Sequence, residues 1–267
     1  MRLKDKVALV TGAASGNGKV IAARFVSEGA KLMLADINEK GLKEVADMFR
    51  QHGYRVETIC IDITQEAAIK SMIATTVSIF GRLDILVNNA GIFDMLVPVG
   101  DVSDELWNKV IDINLTAPMR AIRYALPVFK TQGGGVIVNT ASVAGFTGAR
   151  GGGAAYVASK HGLIGLTKHT AFCYKEWNIR CNAIAPGRVD TGIRDNSEHI
   201  LRIGDNKISA DTEHIMQNLS AGYVTNQRKA DSAEIAAVAL FLASDEAAFV
   251  NGSVFVADGA WTAYSIQ

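Results

Sequence analysis

Seven short apolar runs alternate with longer amphipathic stretches along this chain of 267 residues. Each run is mostly aliphatic and continuous rather than alternating in hydrophobicity, which is typical of a strand buried on both faces. Repeated alternation of strand and helix predicts an α/β fold, in which a doubly wound parallel sheet of about seven strands is covered by helices on both sides. The predicted strands lie at 7–12, 31–36, 55–63, 83–91, 135–142, 179–187 and 253–259, and the predicted helices cover about 17–29, 39–52, 65–80, 103–131, 156–175 and 231–243.

The alternation runs through the chain without a linker-like segment, so residues 1–267 are predicted to form a single domain. The segment 192–226 differs from the rest because it is polar and contains no strand-like run. An insertion near the carboxyl ends of the strands would suit a lid over a pocket, and we expect this segment to be one.

Charge and cysteine content argue against several classes of protein. Lys plus Arg and Asp plus Glu both number 27, so the formal net charge is zero, and no broad surface for nucleic acid or for an anionic membrane is expected. The three cysteines have no CxxC spacing, which argues against a disulfide framework or a metal site and favours a reducing compartment. Cys173 and Cys181 are predicted to be core thiols. No window resembles a signal peptide or a membrane span, so we expect a soluble, cytoplasmic protein.

A glycine-rich turn follows the first predicted strand directly. Gly12, Gly16 and Gly18 stand between that strand and the first predicted helix. Glycines let the backbone turn tightly and approach a pyrophosphate, while the helix N-terminus supplies amide groups and partial positive charge. The spacing GxxxGxG does not match the common dinucleotide fingerprint literally, and taken alone the motif is equally consistent with an ordinary turn.

An acidic residue ends the second predicted strand and strengthens the dinucleotide interpretation. A carboxylate at Asp36 can accept hydrogen bonds from both hydroxyl groups of an adenosine ribose and would repel the 2′-phosphate of NADP. The glycine loop contains no Arg or Lys, and Ile37 follows Asp36. These features favour NAD(H), although Asp36 could instead serve as a helix N-cap.

Tyr156 and Lys160 are four positions apart on a predicted helix and therefore share one face. A phenol is a poor base at neutral pH, but a neighbouring ammonium group stabilises the phenolate and lowers its pKa. Such a pair suits proton exchange with an alcohol oxygen, to which Ser142 could donate a hydrogen bond. Tyr and Lys at this spacing also occur on many ordinary helix surfaces.

Taken in order along the chain, the motifs are TGAASGNG at 11–18, Asp36, Asp62, NNAG at 88–91, Asn114, Ser142, YVASK at 156–160 and PGRVDT at 186–191. In this order and approximate spacing they resemble the short-chain dehydrogenase/reductase family through nearly the whole chain. The resemblance implies a Rossmann-type domain with NAD lying across the carboxyl ends of the strands, where the strand order reverses.

The resemblance also implies roles for individual residues. The catalytic tetrad would be Asn114, Ser142, Tyr156 and Lys160. In that scheme Tyr156 is the acid/base and Ser142 orients the carbonyl group. Lys160 lowers the pKa of the tyrosine and holds the nicotinamide ribose, and Asn114 positions a water molecule. The residues implied to contact the cofactor are Gly12, Ser15, Gly16, Asn17, Gly18, Asp36, Ile37, Asp62, Ile63, Asn88, Ala90, Gly91, Tyr156, Lys160, Pro186, Gly187, Val189 and Thr191.

Two departures from the family pattern affect this assignment. Asn17 stands where the family usually has an aliphatic residue, so packing in the glycine loop is expected to differ. Ser142 and Tyr156 are also separated by one position more than the family pattern leads us to expect. The extra residue is assigned to the segment 149–153, where glycines can bulge without strain. If that segment could not absorb it, Ser142 would be displaced.

The predicted activity is reversible hydride transfer between nicotinamide and a secondary alcohol carbon, with Tyr156 exchanging the proton. Candidate pocket walls include Phe93, Asp94, Arg150 and the segment 192–226, and Arg150, Arg188 and Arg194 are candidates for holding an anionic group. One alternative is an NADPH-dependent 3-oxoacyl carrier-protein reductase, and another is a catalytically silent NAD-binding protein. The resemblance also implies a homotetramer.

Overall fold

The computed structural model describes residues 1–148, 151–201, 213–215, 217 and 228–263. In these residues seven parallel strands form one sheet in the order β3-β2-β1-β4-β5-β6-β7. The strands are β1 (Val7–Thr11), β2 (Lys31–Asp36), β3 (Val56–Cys60), β4 (Ile85–Asn88), β5 (Gly135–Thr140), β6 (Ile179–Pro186) and β7 (Val254–Ala257). Each of the seven apolar runs contains one strand, so the predicted strand set is confirmed, although several runs extend into the loop that follows.

The helices connect successive strands and cover both faces of the sheet. They are α1 (Gly16–Ser27), α2 (Glu39–Gln51), α3 (Glu66–Phe80), α4 (Asp104–Ile111), α5 (Ala117–Gln132), α6 (Ala154–Tyr174), α7 (Ile193–Leu201) and α8 (Ser232–Ala243). A π-helical turn, Asp112–Thr116, joins α4 to α5 within the segment predicted as one helix. Such turns offset the backbone ladder locally and are frequent at functional sites.

The hydrophobic core lies in two layers, because neighbouring residues of each strand point to opposite faces of the sheet. On one face, Ala8 and Val10 of β1 pack with α1, α2 and α8, and on the other Leu9 packs with α3 and α5. All residues of β1 and β6 are buried, whereas the edge strands β3 and β7 are only partly so. The predicted doubly wound α/β fold is thus confirmed.

The strand order reverses at β1, which pairs with β2 on one side and β4 on the other. The loops leaving the carboxyl ends of these strands therefore diverge to opposite faces and leave a crevice between them. Such a crevice is the usual ligand site of an open parallel sheet.

Three further expectations can be compared with the structure. The beginning of the polar segment 192–226 forms α7, which was not predicted, whereas 202–212, 216 and 218–226 lie outside the described residues. Cys181 is buried in β6 as expected, but the prediction for Cys173 is wrong because it lies on the exposed side of α6. Among the described residues, no helix is long and apolar enough to span a bilayer.

Candidate active site

The glycine loop after β1 is folded so tightly that side chains could not be added to it. A Cβ atom on Gly18 would lie 2.0 Å from the carbonyl oxygen of Gly12, and one on Gly12 would lie 2.8 Å from the Cα of Ala90. Gly12 also has φ 67°, a backbone region that favours glycine. Asn89 holds the loop in place by donating from Nδ2 to the carbonyl oxygens of Thr11 and Gly12, at 3.1 and 3.3 Å.

The first turn of α1 has the features of an anion site. Ser15 is its N-cap residue, but the serine side chain makes no capping hydrogen bond. The initial amide groups are therefore not satisfied by the N-cap side chain, and amides at a helix N-terminus readily bind phosphate. The Oδ1 atom of Asn17 is buried without a hydrogen-bond partner within the described structure. Because such an acceptor is costly to leave unpaired, it fits a ligand or water that donates to it.

Asp36 lies at the carboxyl end of β2, beside the glycine loop. Its Oδ2 accepts from the backbone amide of Ala14 and its Oδ1 from that of Asn38, both at 2.9 Å. The N-cap of α2 is Asn38 rather than Asp36, so the N-cap interpretation of Asp36 is wrong. Since a carboxylate can accept about four hydrogen bonds, Asp36 retains acceptor capacity for two ribose hydroxyl groups. A dinucleotide therefore fits this edge of the sheet, with Ile37 exposed next to Asp36.

The other residues predicted to contact the adenine end and the middle of the cofactor lie at the same edge. Asp62 and Ile63 follow β3, and Asp62 accepts hydrogen bonds from the amide and hydroxyl groups of Thr64. Asn88 ends β4, but its Nδ2 donates inward to Asn139 at 2.9 Å. Ala90 donates its amide to the hydroxyl of Thr11 at 3.2 Å, which fixes the start of the next loop against β1.

Tyr156 and Lys160 lie on one face of α6, as predicted, and both are buried, with 7% and 4% of their surface exposed. The Nζ atom of Lys160 is 5.4 Å from the centre of the Tyr156 ring and donates to the carbonyl oxygen of Thr140 at 2.9 Å. Burial lowers the pKa of Lys160 to about 8. The ammonium group is thus held beside the phenol in a dry environment, where its charge acts strongly.

Asn114 projects from the π-helical turn and is 1% exposed. It forms a pair of 2.9 Å hydrogen bonds with the backbone amide and carbonyl of Ile92, and also donates to Ser159 at 3.2 Å. A Cβ atom on Gly91 would lie 3.1 Å from Oδ1 of Asn114 and 3.6 Å from Nζ of Lys160. Gly91 therefore lies against both side chains, and the absence of a Cβ leaves space between them. Ser159, for which no local pattern predicted a role, links Asn114 to α6.

Ser142 follows β5, two residues after the carbonyl that binds Lys160, and its Oγ accepts from the amide of Ala144 at 3.2 Å. Ala144 belongs to the same apolar cluster as Tyr156. A Cβ on Gly145 would lie 2.9 Å from the carbonyl oxygen of Lys160, so the turn after Ser142 packs tightly on α6. Within the segment 149–153, residues 149–150 lie outside the described structure, and Gly151 adopts φ 89°.

The segment after β6 also lies at the carboxyl ends of the strands. Gly187 donates to the carbonyl of Ala257 at 3.0 Å, and Val189 forms a bridge with Ala230. A Cβ on Gly16 would lie 3.4 Å from the Cβ of Thr191, so the segment that begins at Pro186 reaches the glycine loop.

The chain matches the family model described as short chain dehydrogenase over residues 6–200. It is 40% identical over 263 residues to 3beta-hydroxysteroid dehydrogenase 2 of Eggerthella lenta, and the match covers 98% of this chain and 96% of that protein. It is 38% identical over 264 residues to levodione reductase of Leifsonia aquatica, with the same coverage. The crystal structure of levodione reductase superposes with a TM-score of 0.86 at 35% identity, covering 98% of this chain and 100% of that one.

The chain belongs to the short-chain dehydrogenase family. It is an oxidoreductase that acts on a CH–OH group with a nicotinamide cofactor. These similarities do not distinguish NAD from NADP, so the NAD preference predicted from Asp36 stays a prediction. One similar crystal structure, of a putative NAD(P)-dependent gluconate 5-dehydrogenase from Beutenbergia cavernae, contains NADP at low occupancy. That structure is 33% identical, has a TM-score of 0.82, and covers 98% of each chain.

Asp94 of this short-chain dehydrogenase was expected only to line the pocket, but the structure gives it a different position. It is fully buried and accepts hydrogen bonds from the backbone amides of Gly153 and Tyr156, both at 2.8 Å. No local signal in the sequence links Asp94 to a helix that begins 60 residues later. Of the arginines considered for an anionic group, Arg194 on α7 lies over the Phe93 ring at 5.7 Å, and Arg150 lies outside the described residues.

Proposed function

We propose that this protein is an NAD(H)-dependent oxidoreductase that interconverts a secondary alcohol and a ketone, with Tyr156 as the acid/base. The observation that carries the proposal is the buried ammonium group of Lys160, 5.4 Å from the Tyr156 ring centre. A positive charge in that position favours the phenolate form of Tyr156. A phenol activated in this way can take a proton from an alcohol or return one to a ketone oxygen near neutral pH.

The remaining residues of the tetrad support that proton exchange. The hydroxyl group of Ser142 would donate a hydrogen bond to the substrate oxygen and keep that oxygen directed toward Tyr156. Lys160 is anchored by the Thr140 carbonyl, so its ammonium group stays beside the phenol. Asn114 holds the loop at Ile92 and bonds to Ser159, one residue before Lys160, and would position a water that connects Lys160 to solvent. Lys160 and the other residues assigned to the cofactor would hold the nicotinamide, which would supply a hydride acceptor for an alcohol or a hydride donor for a ketone.

The cofactor would be held by the edge of the sheet already described. The backbone amides of the first turn of α1 would bind the pyrophosphate, within a loop that comprises Gly12, Ser15, Gly16, Asn17 and Gly18. Asp36 would bind the adenosine ribose and, since its charge repels a 2′-phosphate, favour NAD over NADP. The other residues assigned to the cofactor are Ile37, Asp62, Ile63, Asn88, Ala90, Gly91, Tyr156, Lys160, Pro186, Gly187, Val189 and Thr191.

The substrate would enter beside Tyr156, where the described walls are largely apolar. Phe93, Met95, Leu96 and Ala144 form one cluster with the Tyr156 ring. Such walls suit a hydrocarbon skeleton that carries the reacting oxygen. The names of two relatives, a 3beta-hydroxysteroid dehydrogenase and levodione reductase, make hydroxysteroids and levodione the first compounds to test.

The proposal also covers the domain, the lid, the cellular compartment and the oligomeric state of the protein. We infer a single domain over residues 1–267 that acts in the cytoplasm, with the segment 192–226 as a lid. In support of the lid, Asn196 of α7 donates to Ser15 at 3.4 Å, so the described start of this segment reaches the glycine loop. We infer a homotetramer from the resemblance to the family, in which subunit contacts would remove exposed apolar side chains such as Phe172 of α6 from water.

The proposal can be tested with hydroxysteroids, levodione and small secondary alcohols and ketones, each assayed with NAD(H) and NADP(H) by the absorbance of the reduced nicotinamide. Turnover of at least one compound, faster with NAD(H), is expected. Faster turnover with NADP(H), especially of 3-oxoacyl thioesters, would support the carrier-protein reductase instead. Binding of NADH without turnover of any compound would support a catalytically silent NAD-binding protein.

A further inference from the structure

The helix that carries Tyr156 cannot cap its own N-terminus. The N-cap residue of α6 is Gly153, which has no side chain to accept a hydrogen bond from the first turn. A larger residue does not fit there, because a Cβ atom on Gly153 would lie 2.4 Å from the carbonyl oxygen of Val97. The loop after β4 thus passes so close to α6 that glycine is required, and the amides of the first turn need partners from outside the helix.

The same loop supplies those partners. The two oxygens of the Asp94 carboxylate accept from the amides of Gly153 and Tyr156, both at 2.8 Å, and the carbonyl of Val97 accepts from Ala154 at 2.9 Å. Asp94 and Tyr156 are 62 positions apart in sequence, yet one carboxylate oxygen bonds the backbone of the tyrosine itself. A carboxylate at this end of a helix is also favoured by the helix dipole.

The loop adopts an unusual backbone conformation to make these contacts. Met95 and Leu96 have φ values of 58° and 68°, and non-glycine residues in that region are uncommon. Such conformations persist where surrounding contacts determine them, and they cluster at functional sites. Asp94 has no exposed surface, and burial raises its pKa, so the site retains a carboxylate at an electrostatic cost.

The ring of Tyr156 is held by the same loop. Phe93, next to Asp94, packs its ring edge-on against the Tyr156 ring at 5.3 Å between centroids. The amide of Phe93 donates to the hydroxyl of Ser197 on α7 at 2.8 Å. A Cβ on Gly152 would lie 2.5 Å from Cδ1 of the Tyr156 ring, so Gly152 also lies against that ring. The position of the phenol therefore depends on how this loop and α6 fit together.

We propose that Asp94 is a positioning residue for Tyr156, and that its carboxylate fixes the first turn of α6 so that the phenol meets the substrate oxygen. This inference rests on the proposed function. Asp94 does not touch the reacting atoms, so its removal should lower turnover by misplacing Tyr156. A misplacement of about 1 Å can cost about 100-fold in rate.

The first test compares Asp94→Ala with Asp94→Asn, measuring kcat, KM and the dissociation constant of NADH. Asparagine keeps one acceptor oxygen, whereas alanine keeps none. We expect kcat to fall about tenfold in Asp94→Asn and about 100-fold in Asp94→Ala. Each kcat is calculated from the concentration of protein that binds NADH, so that unfolded protein does not lower the value. The NADH dissociation constant should stay within about twofold of wild type, since the glycine loop is untouched. If Asp94→Ala does not fold, Asp94→Asn carries the comparison.

Ser103→Ala provides a matched control. Ser103 is the N-cap of α4, and its hydroxyl accepts from the amide of Leu106 at 3.1 Å. This variant removes a capping acceptor of similar kind from a different helix, and its kcat should remain at the wild-type value. Equal losses of kcat in Ser103→Ala and Asp94→Asn would mean that capping affects only general stability, and would overturn the proposal.

A double-mutant cycle with Tyr156→Phe decides whether Asp94 acts through the tyrosine. If it does, adding Asp94→Asn to Tyr156→Phe should leave the residual rate unchanged within about twofold. A further tenfold loss in the double variant would show that Asp94 acts independently of the phenol. Wild-type kcat in Asp94→Ala, together with a large loss in Tyr156→Phe, would refute the inference alone. An unaffected Tyr156→Phe enzyme would refute the proposed function.

Discussion

The edge of the sheet beside β1 and β2 and the edge beside β4 and β5 are built in different ways. At the first edge, most contacts are made by backbone atoms: Gly18 lies against the carbonyl oxygen of Gly12, and the backbone amides of Ala14 and Asn38 donate to Asp36. At the second edge, the site depends on side chains that hydrogen-bond to residues of other elements. Asn114 bonds Ile92, Lys160 bonds Thr140, and Asp94 bonds Tyr156, across 22, 20 and 62 positions.

Because the two edges are built differently, they are expected to be sensitive to different kinds of substitution. The first edge is mostly backbone, so it is sensitive to added atoms. The second edge is mostly buried polar side chains, so it is sensitive to the loss of single groups, each of which leaves a partner unsatisfied in a dry environment. The following variants test that contrast, beginning with the largest expected effect.

Tyr156→Phe should lower turnover by about 10²- to 10⁴-fold, the usual range for the loss of a general acid/base. The ring that packs against Phe93 is kept, and the hydroxyl group that carries the transferable proton is lost. NADH affinity, measured by fluorescence titration, should be nearly unchanged because the first edge is intact. A turnover rate comparable to wild type would remove Tyr156 from its assigned role.

Gly18→Ala should weaken NADH binding, because the new methyl group would lie 2.0 Å from the Gly12 carbonyl oxygen. Overpacking of this kind costs about 1–3 kcal/mol, or about 5- to 150-fold if it is expressed in affinity. Gly100→Ala is the matched control, since a Cβ there meets nothing within 4 Å. Wild-type NADH affinity in a folded Gly18→Ala protein would mean that this loop does not bind the cofactor.

Lys160→Met should change how stability depends on pH. Burial lowers the folded-state pKa of Lys160 from 10.5 to about 8, so between these values the unfolded chain holds a proton that the folded chain does not. The unfolding free energy of wild type should therefore rise with pH across this window, by up to about 3 kcal/mol relative to the variant. Urea unfolding at several pH values measures the difference, and a constant difference would contradict the assignment.

Asp36→Asn should narrow the preference for NAD over NADP by about tenfold, which corresponds to about 1.4 kcal/mol of repulsion removed. The substitution keeps the size of the side chain and removes the charge that we propose faces the adenosine ribose. The ratio of kcat/KM for the two cofactors is the measurement, and Glu39→Gln, nearby at the start of α2, is the control. An unchanged ratio in Asp36→Asn would show that another group selects the cofactor.

Much of the fold and part of the site followed from local patterns in the sequence. Continuous apolar runs predicted the strands because central parallel strands are buried on both faces. The glycine turn and the placement of Tyr156 and Lys160 on one face followed from backbone geometry over a few residues. The helix α7 was missed because its segment is polar, and the π-helical turn at Asn114 was missed because its sequence continues a helical pattern.

The sequence by itself determined the strand and helix order, the glycine loop and the tyrosine–lysine spacing, since each depends on interactions between near neighbours in the chain. Only the tertiary structure decided that Asp94 caps the helix of Tyr156, that Lys160 is buried against Thr140, and that Cys173 faces outward. Burial and hydrogen-bond partners depend on which elements pack together, and no local pattern records a contact across 62 positions.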